Sequence, residues 1–260
     1  MTWFEALILG LVQGLTEFLP VSSSGHLEIG KVLLNVEIKE SLSFTVLVHF
    51  ATVLSTITVF YKDIVKLFGG LFKFKWNEET RYISKILLSM IPVLIVGMLF
   101  REPLESLFSG NLVLVGSALL VTALLLISTQ LVIAGNKTIP FLDAFLMGIA
   151  QAIATIPGIS RSGATISAGL LLKNGRSEVA QFSFLMVLLP IIGAAFLDIF
   201  SHSPGSEAAI ATSSLIIGFL AAYFSGYLAC SWMINLVKKG KLYWFALYCA
   251  IVGTVSIIFS

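Results

Sequence analysis

The sequence predicts an all-α polytopic membrane protein, with six transmembrane helices plus two re-entrant helical hairpins in an inverted-topology repeat. Three observations lead there: a composition too apolar for water, two apolar regions broken by Pro, Gly and Ser, and polar residues that recur at one offset. Hydrophobic residues make up 57% of the chain and charged residues only 12%, with a mean hydropathy of +0.99. A soluble domain carries roughly 25% charged residues. The net charge of +2 says little, and no nucleic-acid partner is expected.

Residues 106–136, 208–237 and 242–260 contain no Asp, Glu, Lys or Arg. Each is close to or above the ~20 residues that cross a bilayer core, where backbone groups must pair internally and therefore form helices. The full spans are expected near 41–60, 83–100, 111–134, 178–200, 209–236 and 242–259. The N-terminus does not read as a cleavable signal, because Glu5 interrupts it and no basic stretch precedes the apolar run. Cys230 and Cys249 lie in apolar stretches and read as small buried hydrophobes.

Two further apolar regions, about 3–34 and 140–172, are broken in the middle. The first break reads Leu19-Pro20-Val21-Ser22-Ser23-Ser24-Gly25-His26, the second Ile156-Pro157-Gly158-Ile159-Ser160-Arg161-Ser162-Gly163. Pro and Gly stop a helix, and hydroxyls satisfy the backbone groups thus freed. Such backbone survives at membrane depth only when buried in protein or lining a wet cavity, so both regions read as re-entrant hairpins. With that count, twelve basic residues (Lys62, Lys66, Lys73, Lys75, Arg81, Lys85, Lys137, Lys173, Arg176, Lys238, Lys239, Lys241) share one side. Lys31, Lys39 and Arg101 take the other, and the positive-inside rule turns the mouth of the first hairpin outward. The basic stretch 62–85, with Phe68, Phe72, Phe74 and Trp76, reads as interfacial.

The chain reads as a single membrane domain over 1–260, with pseudo-repeats of about 1–131 and 132–260. A shift of 138 residues brings Ala6, Gly10, Gln13, Ser22, Ser24 and Gly25 onto identical residues at 144, 148, 151, 160, 162 and 163. Glu5 meets Asp143, and Glu40 meets Glu178. The hairpins enter from opposite sides, which makes the repeat inverted and places its broken helix ends near the midplane. In this register Ser23 stands opposite Arg161, so a hydroxyl and a guanidinium should converge on one pocket. Gly10 and Gly14 form a small-xxx-small pair for close helix packing.

A guanidinium at membrane depth costs at least ~2.5–3.5 kcal/mol on insertion scales, so Arg161 needs a partner or a ligand. Glu17 is one reading, as a structural ion pair. Phosphate is another, because Ser160, Ser162, Gly163 and Thr165 surround Arg161 at a helix start, where free N–H groups and the helix dipole favour anions. Gln13 and Glu17 share one helix face at i, i+4 and together offer hard oxygen to a divalent metal. His26 is either a hydrogen-bonded structural residue or, beside Ser22, Ser23 and Ser24, the base of a Ser/His pair. His49 reads equally as a core histidine or a pocket residue. Glu28 flanks the site or faces the hairpin mouth, and Asp198 and His202 read as solvated helix-end residues.

Taken together, Gln13-x-x-x-Glu17, Pro20-Val-Ser-Ser-Ser-Gly-His26 and Pro157-Gly-Ile-Ser-Arg-Ser-Gly-Ala-Thr165 resemble the undecaprenyl-diphosphatase family of the bacitracin-resistance type. The resemblance spans the whole chain. It implies hydrolysis of undecaprenyl diphosphate to the monophosphate and phosphate, recycling the lipid carrier for cell-wall synthesis. The implied catalytic residues are Ser23, His26, Glu17 and Arg161. Substrate contacts are implied for Arg161, Ser160, Ser162, Gly163, Thr165, Ser22 and Ser24. Gln13 and Glu17 are implied to bind a divalent cation, Mg2+ or Ca2+, with Gln13 standing where many members have Glu. Attack by Ser23, by His26 or by a metal-activated water all fit this pattern. The expected partners are the polyprenyl diphosphate, membrane lipid and a second copy of the chain, in the cell membrane with the site open to the outer face. The rival class is a transporter of a lipid phosphate or other anion, since inverted repeats with broken helices also build transporters. A second phosphatase superfamily with Ser-Gly-His pieces ranks below both, because Ser167 stands where it needs His.

Overall fold

A computed structural model describes residues 1–34, 36, 38–107, 111–133, 135–201 and 210–260, with the side chains of 38–43, 101, 105 and 194–201 left undescribed. Asp198 and His202 fall outside these limits as side chains, as do Lys39, Glu40 and Arg101. The described residues are almost wholly helical: α1 (Trp3–Phe18), α2 (Ser23–Leu34), α3 (Ile38–Val59), α4 (Tyr61–Leu71), α5 (Glu78–Leu99), α6 (Arg101–Ser106), α7 (Leu112–Ser128), α8 (Phe141–Ile153), α9 (Arg161–Leu171), α10 (Arg176–Ser201), α11 (Thr212–Lys238) and α12 (Tyr243–Ile258). Together with the composition, this makes the chain an all-α integral membrane protein.

Four of these helices are long and apolar enough to cross a membrane, within α5, α7, α10 and α11; α3 with α4 makes a fifth if the bent pair is one span. α12 is apolar but only 16 residues long. α4 departs from α3 by 76°, although neither Pro nor Gly stands at the bend. It leaves Lys62, Val65, Lys66 and Phe68 exposed, a mix that suits a membrane surface. Cys230 and Cys249 are buried and free.

Both expected breaks are present. α1 ends at Phe18 and α2 begins at Ser23; α8 ends at Ile153 and α9 begins at Arg161. α1 packs on α2 and α8 on α9, forming two hairpins. Each hairpin is clamped by a long helix from the opposite half of the chain, α1 by α11 and α8 by α5. Glycine permits this close approach. A Cβ on Gly10 would strike the Gly218 carbonyl, and one on Gly148 would strike the Ser89 carbonyl.

Candidate active site at the meeting of two helix breaks

The two breaks start their second helices in the same way. Ser22 Oγ accepts from the Gly25 N–H at 3.2 Å and lies 3.3 Å from Ser24 Oγ. Ser160 Oγ accepts from the Gly163 N–H at 3.0 Å and lies 3.3 Å from Ser162 Oγ. Each serine fills the N-cap role, in which a side-chain oxygen takes an otherwise unpaired first-turn donor. Ser22 does so at a φ of +70°, in the left-handed region that non-glycine residues rarely enter. Such strain recurs at functional sites.

The breaks also touch one another. Ser162 Oγ donates to the Leu19 carbonyl at 3.3 Å, and a Cβ on Gly25 would lie 3.1 Å from the Gly158 Cα. Gly158 has a φ of +95°, and any side chain there would also meet the Val115 carbonyl. The N-termini of α2 and α9, with their unpaired N–H groups and partial positive charge, therefore open on one place.

Glu17, from the last turn of α1, is the hub of that place. Its Oε1 accepts from Arg161 Nη2 at 2.8 Å. Its Oε2 accepts from Ser23 Oγ at 2.5 Å and from Gln13 Nε2 at 2.9 Å. His49 Nε2 lies 3.8 Å from Oε2, with its Nδ1 donating to the Thr45 carbonyl at 2.8 Å. The carboxylate side chain is 6% exposed and the guanidinium side chain 27%. Arg161 commits one of its five N–H donors here among the described residues, so the fork keeps donors for a ligand. A cavity beside the pair is lined by Glu17, Arg161, Thr165, Thr52, Gln151 and Ser183.

The expected convergence of Ser23 and Arg161 is thus present, and Gln13 and Glu17 do share a face. Thr165 Oγ1 donates to the Arg161 carbonyl at 3.0 Å and steadies the first turn of α9. Glu28 is buried and pairs with Lys31 at 3.1 Å, so it faces a lysine on its own helix. His26 is placed differently. Among the described residues no hydrogen bond joins its ring to Ser23 or Glu17; Nδ1 lies 2.8 Å from the Ser22 carbonyl and Nε2 lies 2.8 Å from Tyr248 Oη. Sequence reasoning missed Tyr248 and did not decide on His49. It pointed to Gln151 only as the repeat mate of Gln13.

Gln13 Oε1 is buried with no hydrogen-bond partner among the described residues. No group of three His, Cys, Asp or Glu side chains comes together among them to hold a metal. The donor set is one carboxylate and one free amide oxygen. That set is thin for a cation held by protein alone, and a hard cation such as Mg2+ or Ca2+ would need further oxygen ligands from a bound molecule.

Comparison with known proteins adds the following. The family model for bacitracin resistance protein BacA matches residues 6–255. An undecaprenyl-diphosphatase of Bacteroides fragilis is 56% identical over 263 residues, covering 100% of this chain and 99% of that protein. An undecaprenyl-diphosphatase of Parabacteroides distasonis is 55% identical over 260 residues, covering 99% and 98%. One of Methanosphaera stadtmanae is 37% identical over 274 residues, covering 98% and 97%.

Proposed function

The chain belongs to the bacitracin resistance protein BacA family, and from that premise we propose that it hydrolyses undecaprenyl diphosphate to the monophosphate and orthophosphate. The enzyme is a membrane hydrolase that regenerates a lipid carrier for cell-wall synthesis. The observation that carries the mechanism is the meeting of Ser23, Arg161 and Gln13 on one buried carboxylate, Glu17, at the mouths of two helix N-termini.

The terminal phosphate enters between the two breaks and takes the guanidinium of Arg161, whose fork matches phosphate oxygens. First-turn N–H groups of α2 and α9 add a partial positive charge where negative charge develops. When Arg161 turns from Glu17 Oε1 to the phosphate, that oxygen is left open while Oε2 keeps the Ser23 hydroxyl as its donor. Ser23 Oγ, already donating to Oε2, attacks the terminal phosphorus. The Oγ–P bond forms, the bridging P–O bond breaks, the lipid monophosphate leaves, and the serine proton passes to Glu17. A water then attacks the phosphoserine, with His26 Nε2 taking the water proton. Ser23 leaves phosphorus and recovers its proton from Glu17, orthophosphate departs, and His26 releases the water proton to solvent and returns to the neutral ring. Gln13 and Glu17 would hold a divalent cation against the diphosphate, and that cation would supply positive charge to the leaving oxygens.

The halves of the chain form an inverted repeat on this reading. The matching serine caps and the reciprocal clamps of α1 by α11 and α8 by α5 support it. The placement of basic residues supports a site open to the outer face of the cell membrane.

The test is orthophosphate release from undecaprenyl diphosphate by purified protein with Mg2+ or Ca2+ present. Wild type is expected to turn over and Arg161→Ala to lose about 10³ or more in kcat/KM. Equal inertness of both proteins, with lipid flux across vesicles retained, would overturn the hydrolase reading.

A further inference from the structure

α12 is docked onto the first helix break at two adjacent residues. Buried Cys249 directs Sγ to the Pro20 carbonyl at 3.7 Å, and Tyr248 stacks on His26 with centroids 5.5 Å apart and planes 13° apart. The Tyr248 hydroxyl meets His26 Nε2 at 2.8 Å. On the other side of the ring, Nδ1 lies 2.8 Å from the Ser22 carbonyl. A carbonyl oxygen only accepts, so Nδ1 carries the hydrogen and, in the neutral ring, Nε2 carries the lone pair. The tyrosine O–H is then the donor to Nε2.

We propose that Tyr248 is a positioning residue for the hydrolysis step. Stack and hydrogen bond hold the neutral His26 ring in the Nδ1–H tautomer, with Nε2 as the nitrogen presented to the reacting water. Tyr248 is 42% exposed rather than locked in the core, so its hydroxyl has room to turn and yield Nε2 to that water when the phosphoserine is in place. The Ser22 carbonyl and the Tyr248 hydroxyl thus do for His26 what an orienting carboxylate does for a triad histidine: they decide which nitrogen is basic. The proposal rests on His26 acting as base for water, and its test separates the two claims.

The chain contains three histidines, so histidine-selective 15N labelling gives a readable spectrum, with His26 assigned from its loss in His26→Gln. Wild type is expected to show His26 with a protonated Nδ1 and an unprotonated, hydrogen-bonded Nε2. In Tyr248→Phe, which keeps the stack, the Nε2 signal should move downfield or the proton should redistribute to Nε2. The same variant should lose about 10-fold in kcat, a fraction of what general-base catalysis supplies, with KM within about twofold of wild type. Tyr248→Leu, which also removes the stack, should lose more. An unmoved Nε2 signal in Tyr248→Phe overturns the positioning role, and so does a moved signal with unchanged kcat. His26→Gln as active as wild type instead overturns the catalytic role of His26, whatever the spectrum shows.

Discussion

Ser23 and Arg161 occupy the two oxygens of one carboxylate: Ser23 Oγ is 2.5 Å from Glu17 Oε2 and Arg161 Nη2 is 2.8 Å from Oε1. In the proposed mechanism the attacking hydroxyl and the phosphate anchor are therefore linked before substrate arrives. On that mechanism, drawing the guanidinium onto phosphate changes the surroundings of the group that receives the serine proton, so binding and activation would be one event.

That linkage predicts a covalent intermediate at Ser23. Acid-quenching the enzyme during turnover of terminally 32P-labelled substrate should leave label on protein, mapped to the peptide holding residues 22–24. Ser23→Ala should show no label and lose at least about 10³ in kcat, as nucleophile removal does elsewhere. Label on the peptide in Ser23→Ala would sink the assignment.

The serine caps predict a graded series in stability. Ser160→Ala should cost about 1 kcal/mol in reversible unfolding in detergent, the usual loss of an N-cap. Ser22 combines a cap with a φ of +70°, so Ser22→Gly should be milder than Ser22→Ala. An inverted order would show that the Ser22 conformation is not what limits the substitution.

Glycines divide by what surrounds them. A Cβ on Gly14 would strike Ser225 Oγ and the Ala222 carbonyl, while nothing lies within 4 Å of one on Gly97 in α5. Gly14→Leu should part α1 from α11 and abolish folded protein in size-exclusion chromatography. Gly97→Ala should raise stability by up to about 1 kcal/mol, because alanine fits a helix better than glycine. Equal behaviour of the two variants would remove close packing as the reason for Gly14.

The free Gln13 oxygen predicts a cation dependence tied to substrate. A chelator should abolish phosphate release and added Mg2+ or Ca2+ should restore it. Gln13→Leu should raise the cation concentration for half-maximal activity by about 10-fold, the scale of a lost secondary ligand. Calorimetry should show cation binding strengthened by a non-hydrolysable diphosphate. Cation binding that is indifferent to both the diphosphate and Gln13 would overturn this site.

Much of the site is legible in the sequence because its residues obey local rules. Gln13 and Glu17 meet because four residues make one helical turn, and the breaks fall where Pro, Gly and Ser collect. The meeting of Ser23 and Arg161 at Glu17 is what the 138-residue offset leads one to expect. Tyr248 obeys no such rule: it reaches His26 across 222 residues from an apolar helix with nothing to set it apart from five other tyrosines. His49 was undecidable because a lone histidine in an apolar helix looks the same whether it faces packing or a carboxylate. The 76° bend between α3 and α4 leaves no trace in residue type either, since aromatic Phe60 and Tyr61 stand at it.

The clamp of α1 by α11 sets an order of events during synthesis. Glu17 and Ser23 leave the ribosome early, yet the surface that seats Gly10 and Gly14 lies at Gly218, Ala222 and Ser225. Until those residues are made, the first hairpin lacks the surface against which Gly10 and Gly14 pack. Some two hundred further residues are therefore translated before the site around Glu17 gains its full support. A chain that ends before α11 should consequently leave α1 without its main packing partner.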